Sequence, residues 1–242
     1  MRILFISDLH LSEQHPEITD CFLDFMANEA PKADQLYVLG DLFEYWIGDD
    51  NLTPFNQTII NAFKTLTDTG TSCFFIHGNR DFLVGKQFSQ QTNVTLLPEE
   101  AVIDINGQKA VILHGDTLCT EDVSYQQYRK KVHNPVIQWI FRHLPLSYRR
   151  KIAAKIRNQS SDDNQTKSNQ IMDVTFSEVE SILNKYQVNL MIHGHTHRPN
   201  IHEINVNNQQ KSRIVLGDWY TQGSVLICDN DKISLETITF NC

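Results

Sequence analysis

Short apolar runs recur along the chain, and each is followed at once by polar or turn-forming residues. The clearest are Arg2–Ile6, Leu36–Leu39, Cys73–Ile76, Ala110–Leu113 and Leu190–Ile192. Because these runs are apolar almost throughout and do not alternate with polar residues, they predict strands that are buried on both faces.

Helical spacing of apolar residues separates the first three runs. Residues 17–30 and 55–66 each place their apolar side chains on one face of a helix. Strands that alternate with helices in this way predict an α/β fold with layered sheets.

The later chain adds three weaker patterns. Asn106-Gly107 predicts a two-residue hairpin turn, and Thr175 with Glu178 fits a capping box for a helix that ends near Tyr186. Three further strands are expected to form a closing antiparallel section: Ile214–Leu216, Ser224–Cys228 and Ile233–Thr239.

A basic segment interrupts the α/β pattern at about residues 120–170. Between Val123 and Ser161 there are nine Lys and Arg residues and no Asp or Glu. We interpret it as a mostly helical insertion, punctuated by Pro135 and Pro145. The chain is therefore expected to be a single domain over residues 1–242, with this insertion as a lid.

Composition limits the classes of function. A net charge of −8 argues against general binding of nucleic acid. No apolar run approaches the roughly 20 residues of a membrane-spanning helix, and the N-terminus does not resemble a secretory signal, so we expect a cytoplasmic location. The five cysteines lack metal-type spacing and are expected to be free thiols.

Potential metal ligands follow five of the predicted strands. The segments are Ser7–His10, Gly40–Asp41, His77–Asp81, His114–Asp116 and His193–His197. Because the carboxyl ends of strands in an open α/β sheet converge on one crevice, these loops are expected to meet. A single Asp-x-His or His-x-His segment is usually an ordinary polar turn, but five in succession indicate a metal site.

The donor types favour two divalent cations. Imidazole, carboxylate and amide oxygen suit Mn, Fe or Zn, and the lack of thiolate argues against a purely structural zinc site. A carboxylate can bridge two ions, so Asp41 is the candidate bridge. One ion would take Asp8, His10, Asp41 and His197, and the other would take Asp41, Asn79, His114 and His195.

The ordered motifs DxH, GD, GNR, HGD and GHTH, over residues 8 to 197, resemble the calcineurin-type metallophosphoesterase superfamily. The resemblance implies a four-layer α/β/β/α sandwich, a dinuclear metal site between the sheets and catalysis by a metal-bound hydroxide. It also implies that Asp116 supports a ligand and does not bind metal itself.

Arg80 stands where many members of this superfamily have a histidine that protonates the leaving group. Arginine is a poor proton donor, but it can hold phosphate oxygens and stabilise negative charge in a transition state. This residue favours a leaving group that needs no proton, as in cleavage of a pyrophosphate. Alternatively, Arg80 is only the ion-pair partner of Asp81 or Glu44.

The insertion leaves two compatible interpretations open. Residues 135–144 mix aromatic and aliphatic bulk with flanking cations, which suits an anionic lipid surface. They also suit a lid packed on the body of the protein by Trp139 and Phe141. Further on, one helical face would carry four polar residues, although a polar loop is equally compatible: Arg157, Ser160, Asn164 and Lys167.

Over nearly its full length the chain also resembles the lipid-nucleotide pyrophosphatases of lipid A biosynthesis. The resemblance implies hydrolysis of a UDP-linked diacylated glucosamine, two Mn²⁺ per chain and peripheral attachment to the cytoplasmic face of the inner membrane. It implies that Asn79, Arg80 and His195 contact phosphate, with Arg80 catalytic. The sugar would be held by Asp122, Ser160, Asn164 and Lys167.

Two alternatives remain at this stage. The same metal chemistry could act on a soluble nucleotide or phosphoprotein, or the fold could serve only as a binding module. The presence of all seven candidate ligands argues against the second. We expect a monomer.

Overall fold

The computed structural model of the chain describes residues 1–166, 173–230 and 232–240, without the side chains of residues 158–166. Within these ranges the strands are β1 (Arg2–Ile6), β2 (Gln35–Leu39), β3 (Ser72–Ile76), β4 (Thr95–Leu96), β5 (Glu100–Ile105), β6 (Gln108–Leu113), β7 (Leu190–His193), β8 (Asn200–Val206), β9 (Gln209–Val215), β10 (Gly223–Asp229) and β11 (Lys232–Ile238). The α-helices are α1 (Pro16–Asn28), α2 (Pro54–Asp68), α3 (Lys86–Thr92), α4 (Val123–Val132), α5 (Pro135–His143), α6 (Leu146–Thr166) and α7 (Phe176–Tyr186).

The described strands form two mixed sheets. The first has the order β11-β10-β1-β2-β3-β4, and the second has the order β5-β6-β7-β9-β8. Strands β1, β2 and β3 are parallel to one another, as are β6, β7 and β9. Each sheet therefore has one edge at which several strands reach their carboxyl ends.

Three apolar clusters separate the layers. Residues such as Phe22 and Phe63 pack α1 and α2 on the first sheet, while Phe5 and Ile192 lie between the two sheets. A third cluster packs α7 on the outer face of the second sheet. Successive residues of β1 belong to two different clusters, and so do those of β7. Because successive side chains of a strand point to opposite faces, both faces of these strands are buried, as predicted. The layers confirm the α/β/β/α sandwich.

Local signals account for several element ends. Thr53 caps α2 by accepting a hydrogen bond from the amide of Asn56 at 3.1 Å, and Pro54 follows at the first helical position. The hairpin between β5 and β6 turns at Asn106 and Gly107, whose φ values are 52° and 94°. The predicted turn is confirmed, since a type I′ turn needs positive φ at both positions.

Two expectations are wrong. Thr175 precedes α7, but its side chain makes no capping hydrogen bond, because its hydroxyl accepts instead from the hydroxyl of Thr120 at 2.8 Å. The three closing strands do not form one antiparallel section either. Strand β9 belongs to the second sheet, and residues 216–222 carry the chain back to the first sheet, where β10 and β11 pair.

Helices α4, α5 and α6 occupy the segment in which a helical insertion was predicted. Asn134 caps α5 through hydrogen bonds from the amides of Val136 and Ile137, and Pro135 occupies its first helical position. No helix in the described ranges is both long and apolar enough to cross a bilayer.

Candidate metal centre

The five predicted ligand segments meet at the carboxyl edges of the two sheets. The amide of Asp8 donates to the carbonyl of Gly40 at 3.1 Å, which joins the loops after β1 and β2. His114 donates from Nδ1 to the carbonyl of Leu39 at 2.8 Å, and Gly194 donates to the carbonyl of His114 at 2.8 Å. These bonds connect the loops of the two sheets into one site.

Left-handed backbone is concentrated in this site. Five candidate ligands have φ values between 50° and 68°: Asp8, His10, Asp41, His195 and His197. Residues other than glycine seldom adopt this conformation, and where they do so in a cluster the strain usually serves a functional arrangement. Here it turns each side chain away from its strand and toward a common centre.

Two glycines allow the close approach of the loops. A Cβ atom on Gly78 would lie 2.2 Å from Oδ1 of Asp41, and one on Gly194 would lie 2.3 Å from Oδ2 of Asp8. Neither position can hold a side chain without displacing a candidate ligand.

The donor atoms form two overlapping groups. Asp8, His10 and His197 offer ligand atoms within 4.8 Å of one another, and so do Asp8, Asp41 and His114. The two carboxylate oxygens of Asp41 face both groups. Oδ2 lies 3.8 Å from Nε2 of His10, and Oδ1 lies 3.8 Å from Nε2 of His114. This placement is compatible with the predicted role of Asp41 as a bridging carboxylate.

The other two candidate ligands adjoin the second group. Nε2 of His114 lies 3.1 Å from Oδ1 of Asn79 and 3.2 Å from Nδ1 of His195. The seven predicted ligands therefore lie in one continuous cluster.

Unpartnered buried atoms fit a cation at this position. Oδ1 of Asp8 and both ring nitrogens of His10 are buried and make no hydrogen bond among the described residues. Oδ1 of Asp8 lies 3.4 Å from Nε2 of His197, and Nδ1 of His10 lies 3.4 Å from Oε2 of Glu44. Buried polar atoms normally make hydrogen bonds, so a donor set of this kind fits a cation. The motifs of the chain and this donor set together indicate use of divalent metal.

Electrostatics support the same interpretation. Burial alone would lower the pKa of His114, but the charges of Asp41 and Asp8 raise it to about 9. Burial would likewise raise the pKa of Asp8, yet His197 and its neighbours hold that pKa below its ordinary value. The carboxylates thus create a negative field that a cation can satisfy in place of protons on the imidazoles.

Supporting hydrogen bonds orient the ligands. The Ser7 hydroxyl at 2.6 Å and the His195 amide at 2.9 Å both donate to Oδ2 of Asp8, which leaves Oδ1 facing the site. His114 uses Nδ1 for the carbonyl of Leu39, so its Nε2 faces the other ligands. Metal-binding side chains are usually fixed in this way by a second group.

Asp81 is a structural residue that the sequence patterns did not single out for this role. Its carboxylate accepts from the amides of Leu42 at 2.7 Å and Gly78 at 2.8 Å, and so joins the loops after β2 and β3. Burial and the charge of Asp41 raise the pKa of Asp81 to about 7. Only the assembled fold brings these amides together.

Arg80 lies at the edge of the cluster with its guanidinium free of ion pairs among the described residues. Its backbone amide donates to Oδ1 of Asp41 at 2.8 Å, while its buried Nε has no partner. Asp81 is occupied by backbone amides, and Glu44 is paired with Arg157 at 2.9 Å. Neither of the two ion pairs considered for Arg80, with Asp81 or with Glu44, is formed among the described residues, although the charge of Arg80 still acts on the nearby Glu44 carboxylate.

Tyr220 is a second residue that the sequence patterns missed. Its ring stacks on the ring of His10, with centroids 5.4 Å apart and planes at 7°, and half of the residue is exposed. It lies in the loop after β9, where no apolar run or metal motif marked a functional position.

The predicted sugar contacts are only partly described. Asp122 caps α4 by accepting from the amide of Tyr125 at 3.0 Å, and the ring of Tyr125 lies 6.0 Å from that of His195. Asp116 accepts from Tyr125 and Arg129, each at 2.6 Å, and is absent from both ligand groups. The side chains of Ser160 and Asn164, and the whole of Lys167, lie outside the described residues.

Known proteins with similar sequences and folds were compared with this chain. The model of the calcineurin-like phosphoesterase family matches residues 1–199. UDP-2,3-diacylglucosamine hydrolase of Vibrio atlanticus (strain LGP32) is 57% identical over 241 residues, which cover 100% of this chain and 99% of that protein. The protein of the same name from Vibrio cholerae (strain ATCC 39315) is 59% identical over 228 residues, 94% of each chain.

A solved structure of an archaeal phosphodiesterase has the same fold, with a TM-score of 0.51 and 14% identity over 98% of this chain and 99% of that one. The sequence motifs, the sandwich fold and these sequence relationships all indicate the same family. The chain belongs to the calcineurin-like phosphoesterase family and, within it, to the family of these UDP-2,3-diacylglucosamine hydrolases.

Proposed function

We propose that this chain hydrolyses the pyrophosphate bond of UDP-2,3-diacylglucosamine to UMP and 2,3-diacylglucosamine 1-phosphate, a step of lipid A biosynthesis. The main support is 57% identity over the whole chain to a hydrolase named for that substrate. Nε of Arg80 is buried beside the ligand cluster and has no hydrogen-bond partner among the described residues, which supports cleavage of a bond whose leaving group is itself a phosphate.

Two Mn²⁺ ions would be the cofactor. Asp8, His10, Asp41 and His197 would hold one ion, and Asp41, Asn79, His114 and His195 would hold the other. When bound, such a pair lowers the pKa of a water molecule and neutralises charge on the phosphoryl group. The double contact of Asp41 with His10 and His114 supports its role as the bridge.

The protein groups would position the substrate. Asn79, Arg80 and His195 would hold phosphate oxygens, and Arg80 would stabilise the charge that develops as the bond breaks. The sugar would be held by Asp122, Ser160, Asn164 and Lys167. In-line phosphoryl transfer requires mainly such positioning and neutralisation of charge.

The direct test measures UMP release from UDP-2,3-diacylglucosamine by the purified chain loaded with Mn²⁺. Soluble UDP-N-acetylglucosamine and a phosphopeptide serve as comparison substrates. The proposal predicts turnover of the diacylated substrate with kcat/KM at least about 100-fold above either soluble compound. Equal or faster turnover of a soluble compound would favour the alternative of a soluble-substrate phosphoesterase.

We also propose peripheral attachment of the chain to the cytoplasmic face of the inner membrane through α5. Three of its apolar residues are more than half exposed: Val136 at 64%, Trp139 at 61% and Ile140 at 51%. The ring of Trp139 lies 4.2 Å from that of His143, with the planes tilted by 39°, while Phe141 packs toward the core. Hence Phe141 helps to hold the helix on the body, but Trp139 does not, and its exposed face suits an acyl or headgroup layer.

Vesicle co-sedimentation tests this attachment. Binding should need an anionic phospholipid and should weaken at high salt, because the Debye length falls from about 10 Å at 0.1 M to about 3 Å at 1 M. The double variant W139S/I140S should lose most of the binding, whereas L52S, an exposed apolar position elsewhere, should not. Equal binding by both variants would refute a role for α5.

We infer that the insertion and the sandwich form a single domain, and that the chain is a monomer. The guanidinium of Arg149 on α6 is buried and donates to the carbonyl of Ile47 at 2.8 Å, and Arg157 pairs with Glu44. These contacts attach the insertion to the loop after β2. Sedimentation equilibrium would reveal any oligomer.

A further inference from the structure

A cavity of about 300 Å³ lies beside the loop that carries His195 and His197. Its polar lining consists of Asp173, Thr196, Arg198, Asn200, His202 and Arg213. None of these residues has a role in the candidate metal centre. Its volume is at the lower end of the range for small-molecule sites, which suits part of a nucleotide better than an acyl chain.

Sheet topology places this cavity at the same edge as the metal centre. Thr196 stands between the two candidate ligands His195 and His197. Residue Asn200 pairs with Val215, and His202 pairs with Arg213, across β8 and β9. Since β9 runs parallel to β7, its end reaches the same edge as the loop after β7. Because Ile214 faces the layer between the sheets, Arg213 lines the opposite face.

The wall of the cavity combines two guanidinium groups with one carboxylate. Nη1 of Arg198 lies 2.6 Å from Oδ2 of Asp173. Arg213 is half-buried and makes no ion pair with a described carboxylate; its Nη1 lies 3.4 Å from Nε2 of His193. A guanidinium has five N–H donors, and the one ring nitrogen of His193 can accept from only one of them, so a ligand in the cavity can accept from the others.

We propose that this cavity binds the uracil base of the substrate, an inference that rests on the proposed function for the identity of the nucleotide. The pairing edge of uracil presents a carbonyl, an N3–H and a second carbonyl. The carboxylate of Asp173 accepts from N3–H, and the guanidinium groups of Arg198 and Arg213 donate to the two carbonyls. Cytosine presents an amine and an unprotonated N3 instead, so Asp173 disfavours it.

The test compares the binding of UMP, CMP and 3-methyluridine 5′-monophosphate to the full chain loaded with Mn²⁺, by calorimetry. All three carry the same phosphate, so contacts with the metal centre cancel in the comparison. UMP should bind about tenfold or more tightly than CMP, as expected when a mismatch leaves a polar group unpaired. The N3-methylated compound should bind as weakly as CMP.

The variant D173N should narrow the preference for UMP over CMP to threefold or less, because an amide can pair with either base. E203Q, on the opposite face of β8, should keep the wild-type preference. Equal binding of the three compounds by the wild type, or unchanged discrimination in D173N, would overturn the proposal. If D173N does not fold, the comparison of UMP with the N3-methylated compound still tests the proposal, because it needs only the wild-type protein.

This outcome is distinguishable from failure of the proposed function. If the wild type releases UMP from the lipid substrate but does not distinguish the bases, the cavity assignment is wrong and the enzymatic proposal stands. If it distinguishes the bases but does not hydrolyse the lipid substrate, the site stands and the substrate assignment is wrong.

Discussion

Asp8, His10 and Asp41 have left-handed backbone conformations, which residues that follow a strand do not usually adopt. Each conformation costs free energy, and the surrounding loops maintain it through the hydrogen bonds described above. We infer that the cluster is preorganised, because the side chains converge even though Oδ1 of Asp8 and both ring nitrogens of His10 make no hydrogen bond among the described residues.

Replacing the candidate bridge tests this cluster. D41N keeps the shape of the side chain but removes its charge and one of its two oxygens, so the side chain can no longer bridge two ions. We expect Mn²⁺ affinity and turnover to fall by more than about 100-fold, beyond the range typical of outer-shell substitutions. Metal titration and UMP release measure the effect, with the exposed D24N as control. Wild-type metal binding by D41N would exclude Asp41 as a ligand.

Arg80 should determine which type of phosphoester the enzyme hydrolyses. R80K should lower kcat/KM for the pyrophosphate substrate by about 100-fold, since a compact ammonium group cannot hold two phosphate oxygens with the planar geometry of a guanidinium. R80H should also lose pyrophosphate hydrolysis, but it should hydrolyse alkyl phosphate monoesters faster than the wild type, because their leaving alkoxide needs a proton. R142K on exposed α5 is the control. Unchanged pyrophosphate hydrolysis by R80K would contradict the role assigned to Arg80.

At the residue scale, the sequence patterns predicted the seven candidate ligands that the fold brings together, but not the residues that support them. Asp8 and His114 follow apolar runs at recognisable spacing, so motif reading found them. Asp81 binds amides that are distant in sequence, and Tyr220 reaches His10 only after the chain crosses between sheets. Such contacts depend on tertiary structure and leave no local periodicity.

Among the elements, the insertion is attached chiefly through α6. Arg149 donates to the carbonyls of Ile47 and Leu144 and pairs with Asp50. Its neighbour Arg150 is exposed and, among the described residues, bonds only to the side-chain oxygen of Asn51. Arg149 and Arg150 are therefore suitable for comparison, because one guanidinium is buried and the other is exposed.

Removing the buried arginine should loosen the insertion. We expect R149M to destabilise the chain by about 1–3 kcal/mol, because it leaves buried carbonyls unpaired, whereas R150M should cost less than about 0.5 kcal/mol. Urea unfolding measures the difference, and hydrogen exchange should increase first in α5 and α6. Equal stability of the two variants would contradict the attachment through Arg149.

The residue that follows α4, His133, should make the free energy of unfolding depend on pH. His133 packs on Phe82, with ring centroids 4.9 Å apart, and its pKa is lowered to about 4, chiefly by burial and further by the charges of Arg129 and His77. The unfolded chain therefore binds more protons between about pH 4 and 6.5. This contribution is complete above pH 6.5 and is lost as the pH falls toward 4.

H133Q should remove that dependence. Because His133 is only partly buried, solvent screening reduces the effect, and we expect the fall in Tm from pH 7 to 5 to be about 2–4 °C smaller in the variant. Thermal melts at both pH values measure it, with H15Q as an exposed control. An equal fall in wild type and variant would show that His133 does not titrate in this window.

Element prediction succeeded where the signals were local. The Asn106-Gly107 turn and the apolar runs specify their own conformation, and the proline positions fit the helix starts of the insertion. Thr175 failed as a capping residue because the nearby Thr120 hydroxyl competes for its oxygen. Trp139 failed as a packing residue because α5 turns that side chain outward.

At the scale of the molecule, two sheets bring five loops to one edge. Hydrophobic patterning predicted most of the strands, though not β4 or β8, and it cannot assign a strand to a sheet, because an apolar run does not specify its pairing partner. Strand order follows from long-range pairing, so the sandwich was expected only through the resemblance to metallophosphoesterases. The family match and the observed layers confirm that expectation.

The central claim is a dinuclear metal centre at this edge, and a crystal of the chain grown with Mn²⁺ tests it most directly. An anomalous-scattering map at the manganese edge should show two peaks about 3.5–4 Å apart, with the carboxylate of Asp41 between them. A single peak, or peaks that do not contact Asp41, would contradict the account.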